Sequence, residues 1–363
     1  MGDARLGADA ATRTTRVPSI TSGDSPASLR VSYPAMFRVI ECGADGKVTF
    51  REGEDAMALA SPPPEGTVRW IDLEGQTADS LELLRSRFDF HPLAIEDCLH
   101  LDQRPKLEEF GHVLFVVTHG FVCKSEKIET LEPLELHAFL GPRYLVTVHQ
   151  EPLPAIEAAQ RRLQSKPQLF SRGPEFLHYI VVDKMVDDTF PILDKVAEEL
   201  EHLEEAVLWT PAREHLARIF HLKHELSIMR RVLSPQRDVM LAMAKLDEEH
   251  VAPSNVAYFR DVYDHLVRIS ESIDANRDLL GSAMDAYLSS VSNRTNEIMK
   301  YLTIMSALFL PLSFVVGFFG QNFEDMPGVP GWQHSHSLMF TMLGSCLLVP
   351  ISMLGWFRYK RWI

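Results

Sequence analysis

The sequence predicts an α+β cytoplasmic domain, then a long-helix region, then two C-terminal transmembrane helices. Three observations carry that expectation. Two uncharged apolar runs, Tyr301–Phe319 and Ser337–Phe357, are each long enough to cross a hydrocarbon core of roughly 30 Å at about 1.5 Å per residue. Between residues 35 and 152, β-rich runs alternate with helical patterns. From Pro174 onward strand signals vanish, and apolar residues recur at helical spacing.

Residues 1–34 are rich in Ser, Thr, Ala, Gly, Asp and Arg, with few large apolar side chains. They predict a disordered tail, and the absence of an apolar h-region predicts no cleaved signal. In the α/β domain, 35–152, FRVIEC, KVTFRE, TVRWIDL, HVLFVVTHGFV and RYLVTVHQ read as strands. TADSLELLRSRF, after Thr77 as N-cap, and HPLAIEDCL read as helices.

Residues 153–253 form the long-helix region. One helix is expected over Phe176–Leu208 and a second from the start signal Thr210-Pro211. The run Glu198, Glu199, Glu201, Glu204 and Glu205 reads as a solvated face. Residues 254–320 form the stalk and first transmembrane helix, starting after Pro253-Ser254, with only Gly281 interrupting before Pro311. An unbroken helix from Asn255 to Phe319 would be about 100 Å long. A polar loop (321–336), the second span (337–357) and a basic cytoplasmic tail (358–363) follow.

Arg294 and Lys300 precede the first span, Arg358, Lys360 and Arg361 follow the second, and the loop between holds no lysine or arginine. The positive-inside rule therefore puts both termini in the cytoplasm. The net charge of −14 argues against nucleic acid as partner and favours cations. Cys42, Cys98, Cys123 and Cys346 form no CxxC pair and read as incidental thiols. No phosphate loop, HExxH or GxSxG motif suggests an enzyme.

On the stalk and first span, Asp285, Leu288, Ser292, Asn296, Met299, Leu302, Ser306, Leu310, Ser313 and Gly317 recur at steps of three and four and share one helix face. A lipid-facing surface has no need of Ser and Asn. Two readings stand: a helix-packing seam of small residues, or a pore lining in which rings of Leu and Met gate by dewetting. Two spans cannot enclose a pore, so a transport path requires an oligomer. The loop opens with Gly320, Gln321 and Asn322, then Glu324 and Asp325, which read as mouth carboxylates or ordinary polar residues. His334 and His336 read as candidates for a softer ion. His215, His221 and His224 read as solvent-facing.

YFRDVYDH (Tyr258–His265), YLSSVSNRTNE (Tyr287–Glu297), LTIMSALFLPLSFVVGFFG (Leu302–Gly320), the Gly-x-Asn loop, the terminal KRWI and PLAIEDCLHLDQRPKLEEF (Pro92–Phe110) together resemble the CorA family of two-span divalent-cation transporters. The resemblance implies a homopentameric funnel in the cell (inner) membrane, with first-span helices around the pore and second-span helices facing lipid. It implies transport of Mg²⁺, with Co²⁺ and Ni²⁺ as further cargo. The family's Gly-Met-Asn signature falls on Gly320, Gln321 and Asn322, so Gln321 departs from it. Selection would grip a hydrated ion through amide and carbonyl oxygens, since Mg²⁺ sheds water reluctantly. Gln321 either thickens that filter or packs where a thioether packs elsewhere.

The resemblance also assigns Asp97 and Asp261 to a regulatory Mg²⁺ sensor between subunits, with Glu96 and Asp264 nearby; by themselves they read as surface carboxylates. Bound Mg²⁺ would bridge the carboxylates and hold the funnel closed. The varied signature and MPGVPGW also resemble the ZntB-like branch, which implies Zn²⁺ transport as the alternative. A third reading, from another class, is a membrane-anchored coiled-coil interaction protein.

Overall fold

The computed structural model describes residues 35–123, 128–248, 250–320 and 336–362. The chain divides into two units: residues 1–201 with 220–280, and residues 202–219 with 281–363. The tail 1–34, and Gln321, Asn322, Glu324, Asp325 and His334, lie outside the described residues.

The first unit is built on a seven-stranded sheet. Its strands are β1 (Met36–Cys42), β2 (Val48–Glu52), β3 (Val68–Glu74), β4 (Lys106–Phe110), β5 (Val113–Cys123), β6 (Leu131–Gly141) and β7 (Tyr144–His149). Their order is β2-β1-β3-β7-β6-β5-β4. All neighbours are antiparallel except β3 and β7, which run parallel. β3, β5 and β7 read as near-continuous apolar runs because helices cover both faces there.

On one face lie α1 (Glu54–Leu59), α2 (Ala78–Phe88) and α3 (Pro92–Leu99). Leu81, Leu84, Phe88, Ala94 and Ile95 pack there on Ile71, Leu73, Phe115, Phe139 and Val146. Thr77 caps α2 as expected. Its hydroxyl accepts from the Ser80 N–H at 3.2 Å, and the Ser80 hydroxyl accepts from the Thr77 N–H at 2.8 Å. The opposite face packs against α5 (Pro174–Asp187), which follows α4 (Pro154–Ser165) and a short 3₁₀ turn.

The single helix expected over Phe176–Leu208 is two. α5 ends at Asp187 and α6 runs Phe190–Trp209. Pro191 explains the break: it has no N–H to give the Asp187 carbonyl, so the ladder cannot continue across it. α7 (Arg213–Met243) continues through Pro235. α8 is one helix of 64 residues, Val256–Phe319, containing both Gly281 and Pro311. α9 spans His336–Tyr359.

Candidate functional site

Two arrangements bear on the expected ion chemistry: a carboxylate cluster in the first unit, and the exposed faces of the apolar helices in the second.

In the first unit α5 and α8 bring Asp183, Asp261 and His265 together, with one ligating atom of each within 4.8 Å of the others. Asp187 lies one turn below Asp183, and its carboxylate stands 3.5 Å from His265 Nδ1. His265 Nε2 is 3.9 Å from Asp261. Burial raises the Asp183 carboxyl above its ordinary value, and the negative charges of Asp187 and Asp261 raise it further. Three acids facing one histidine and a more distant Arg162 leave net negative charge, which a divalent cation would relieve. Carboxylate oxygens suit Mg²⁺, and the imidazole adds a donor that suits Co²⁺. The donor set therefore fits a divalent cation. A small open cleft beside it is lined by Arg162, Asp183, Lys184 and Asp187, floored by Ala158 and Ile180.

The four carboxylates expected to sense metal do not share one place in the protomer. Asp97, on α3, is already ion-paired, its Oδ2 2.7 Å from Lys106 Nζ. Lys106 also reaches Glu108 at 3.1 Å. Glu96 and Asp264 are exposed. Only Asp261 enters the cluster, in the company of two residues that the sequence reading missed. The signal was present: Asp183 and Asp187 stand one turn apart on a helix whose other residues are mostly apolar, and His265 follows Asp261 by one turn.

In the second unit the windows that pass for membrane spans are only 6% buried within the chain. Asp285, Ser292, Asn296, Met299, Leu302, Ser306, Leu310, Ser313 and Gly317 are all exposed. The face they share is thus open over much of its surface among the described residues. Gly320 closes α8, its N–H donating to the Val316 carbonyl at 2.9 Å. His336 begins α9.

Not every histidine on α7 faces solvent freely. His221 is half-buried, 3.2 Å from the Ile128 carbonyl and 3.8 Å from Glu225, while His224 is exposed. All four cysteines are free thiols.

A family model described as CorA-like Mg²⁺ transporter protein matches residues 65–361. The chain is 36% identical to YfjQ of Bacillus subtilis over 293 residues, covering 81% of this chain and 89% of that one. It is 32% identical to the cobalt/magnesium transport protein CorA of Thermotoga maritima over 299 residues, covering 82% and 84%. Among solved structures, the CorA magnesium transporter of Methanocaldococcus jannaschii superposes with a TM-score of 0.76 at 20% identity. That match covers 92% of this chain and 100% of the other. The cytoplasmic domain of ZntB from Vibrio parahaemolyticus is also similar in fold, with a TM-score of 0.57 at 15% identity over 72% of this chain and 99% of that one.

Proposed function

The chain belongs to the CorA-like Mg²⁺ transporter family, and on that premise we propose that it carries Mg²⁺, with Co²⁺ and Ni²⁺ as further cargo, through a homopentamer in the cell (inner) membrane. Members of this family are channels and transporters rather than enzymes. The observation that carries the proposal is the α8 stripe. Ser292, Asn296, Ser306, Ser313 and Gly317 form a polar and small face on a helix otherwise apolar enough to span a bilayer. Among the described residues these side chains are exposed. Polar groups at membrane depth need partners or water. Five copies around an axis would supply a water-filled lining, with Met299, Leu302 and Leu310 as apolar constrictions between the polar rings. α9 would face lipid, and both termini would lie in the cytoplasm.

Selection would take place at Gly320, Gln321 and Asn322. Carbonyl and amide oxygens there would hold a hydrated cation through its water shell without stripping it. Glu324 and Asp325 would raise the local cation concentration at the mouth. Cytoplasmic Mg²⁺ would regulate. Asp261, with Asp183 and His265 of the same protomer, forms a donor set, and Asp97 and Glu96 of a neighbouring protomer would complete it. The cation's role there is charge neutralisation between carboxylates. Without it, like charges repel and the subunits loosen.

Uptake into proteoliposomes tests this reading, comparing Mg²⁺, Co²⁺ and Zn²⁺ with and without a proton gradient. Mg²⁺ entry independent of the gradient is expected. Zn²⁺ entry that rises with the gradient while Mg²⁺ stays outside would replace it with the ZntB-like alternative. No uptake of any divalent ion would favour the membrane-anchored interaction protein.

A further inference from the structure

α9 ends in a turn whose backbone asks for glycine and whose sequence supplies arginine. Arg361 has φ +60°, the left-handed conformation that a Cβ disfavours. Its N–H donates to the Arg358 carbonyl at 3.1 Å, and the Trp362 N–H donates to the Phe357 carbonyl at 2.9 Å. These two bonds are the paired signature of a Schellman cap, in which the left-handed residue is usually Gly. The apolar contact that accompanies such caps is present: Phe357 and Trp362 stack with centroids 5.7 Å apart and planes 13° apart. Trp356 closes the cluster at 6.3 Å from Trp362.

Glycine or asparagine would make this cap at lower conformational cost, so the arginine side chain has a use outside the cap. Arg358, Lys360 and Arg361 are all exposed. Among the described residues no carboxylate pairs with any of them. A favourable interaction with the helix dipole accounts for Arg358 in the last turn. It does not account for a cation beyond that turn in a strained conformation. The positive-inside rule accounts for basic residues after the second span, but it asks nothing of their backbone, so it does not account for an arginine at the left-handed position.

We propose that Arg358, Lys360 and Arg361, held around the Trp356–Phe357–Trp362 cluster, form a binding site for the phosphate of an anionic phospholipid headgroup at the end of α9. At the end of a span the rings would lie at the depth that interfacial aromatics prefer, within reach of the headgroup layer for the three cations beside them. Bound lipid would fix the depth and rotation of α9. The proposal rests on α9 being a membrane span.

Native mass spectrometry of the full chain in neutral detergent, with phosphatidylglycerol and phosphatidylcholine added in equal amounts, tests it. The wild type should retain phosphatidylglycerol in preference to phosphatidylcholine, and inorganic phosphate should not displace it. R361G should reduce that preference about fivefold while its Tm in lipid-free detergent stays equal or rises, because the cap is relieved. The variant R358Q/K360Q/R361Q should abolish the preference. Equal retention of the two lipids by the wild type, displacement by inorganic phosphate, or a fall in Tm for R361G without change in lipid preference would each overturn the headgroup site. A chain that stays in solution without any detergent would instead overturn the span reading on which it rests.

Discussion

Gln236 of α7 completes the open edge of β5 at His119. Its Oε1 accepts from the His119 N–H at 2.7 Å, and its Nε2 donates to the His119 carbonyl at 3.1 Å. β4 pairs with β5 only from Val113 to Val117. Beyond that point the strand has no β4 partner, and the fully buried amide of Gln236 takes its place. Unpaired buried backbone groups are costly, so this one side chain ties α7 to the sheet.

Gln236→Leu keeps the volume and removes both hydrogen bonds. A loss of about 2 kcal/mol or more is expected, since a donor and an acceptor are left buried and unpaired. It should appear as a fall of several degrees in the Tm of the detergent-solubilised chain. An unchanged Tm would show that the amide contributes nothing net.

Asp183→Asn tests the carboxylate cluster from two sides. In the metal-free protein the Asp183 pKa is raised, so its charged form is disfavoured and stability is lost as pH rises through that pKa. The amide removes this cost, and the metal-free Tm at pH 7 should rise. The Mg²⁺-induced increase in Tm should shrink at the same time. A variant that keeps the full Mg²⁺ response would place the cation elsewhere.

Asp261→Lys replaces an acid of the cluster with a cation. Proteoliposomes bearing it are expected to keep transporting when millimolar Mg²⁺ faces the cytoplasmic side, a condition under which the proposed regulation would close the wild type. Shut-off at the wild-type concentration would remove Asp261 from regulation.

Lys106→Met has the opposite sign. Lys106 neutralises Asp97 within the protomer, in competition with any cation that Asp97 would help to hold. Both side chains are about a quarter exposed, 27% and 21%, so the pair is partly screened. Its removal should shift the Mg²⁺ midpoint of closure several-fold lower. A midpoint moved upward would mean that Lys106 positions Asp97 for the cation.

His178 makes the fold acid-sensitive. It is fully buried on α5, and burial pushes its imidazole from 6.5 down to about 4. Between those values the unfolded chain binds a proton that the native state refuses, so stability falls as pH drops from about 6.5 to about 4, by about 3 kcal/mol over the whole window. His178→Phe should flatten the profile of Tm against pH over that range. An equally steep profile would assign the acid sensitivity to other groups.

Much of the architecture was legible because its causes are local or periodic. The Thr77 cap, the strands β1, β2, β3, β5 and β7, and the start and length of α8 follow from side-chain patterns within a few residues. β6 was not legible. LEPLELHAFLG carries Pro133 and two glutamates, and it forms a strand because β5 and β7 pair with it on both sides. Glu135 is tolerated there because the groups around it satisfy its charge. Burial would raise its pKa, but hydrogen bonds from His119 and His137, the charge of His137 and the Asp102 N–H together hold it at about 2. Of those partners only His137 lies on the same strand, while His119 and Asp102 come from other segments of the chain.

By itself, then, the sequence determined what short-range chemistry controls: two apolar runs of bilayer length, the long helix leading into the first of them, its polar face, and the motifs that mark the family. The tertiary structure decided which charges meet. Asp97 proved to be paired with Lys106, and Asp261 proved to stand with Asp183 and His265 of the preceding helices and its own. Electrostatic partnership depends on distances of a few ångströms between segments far apart in the chain, and no residue pattern encodes those distances until the sheet and helices have packed.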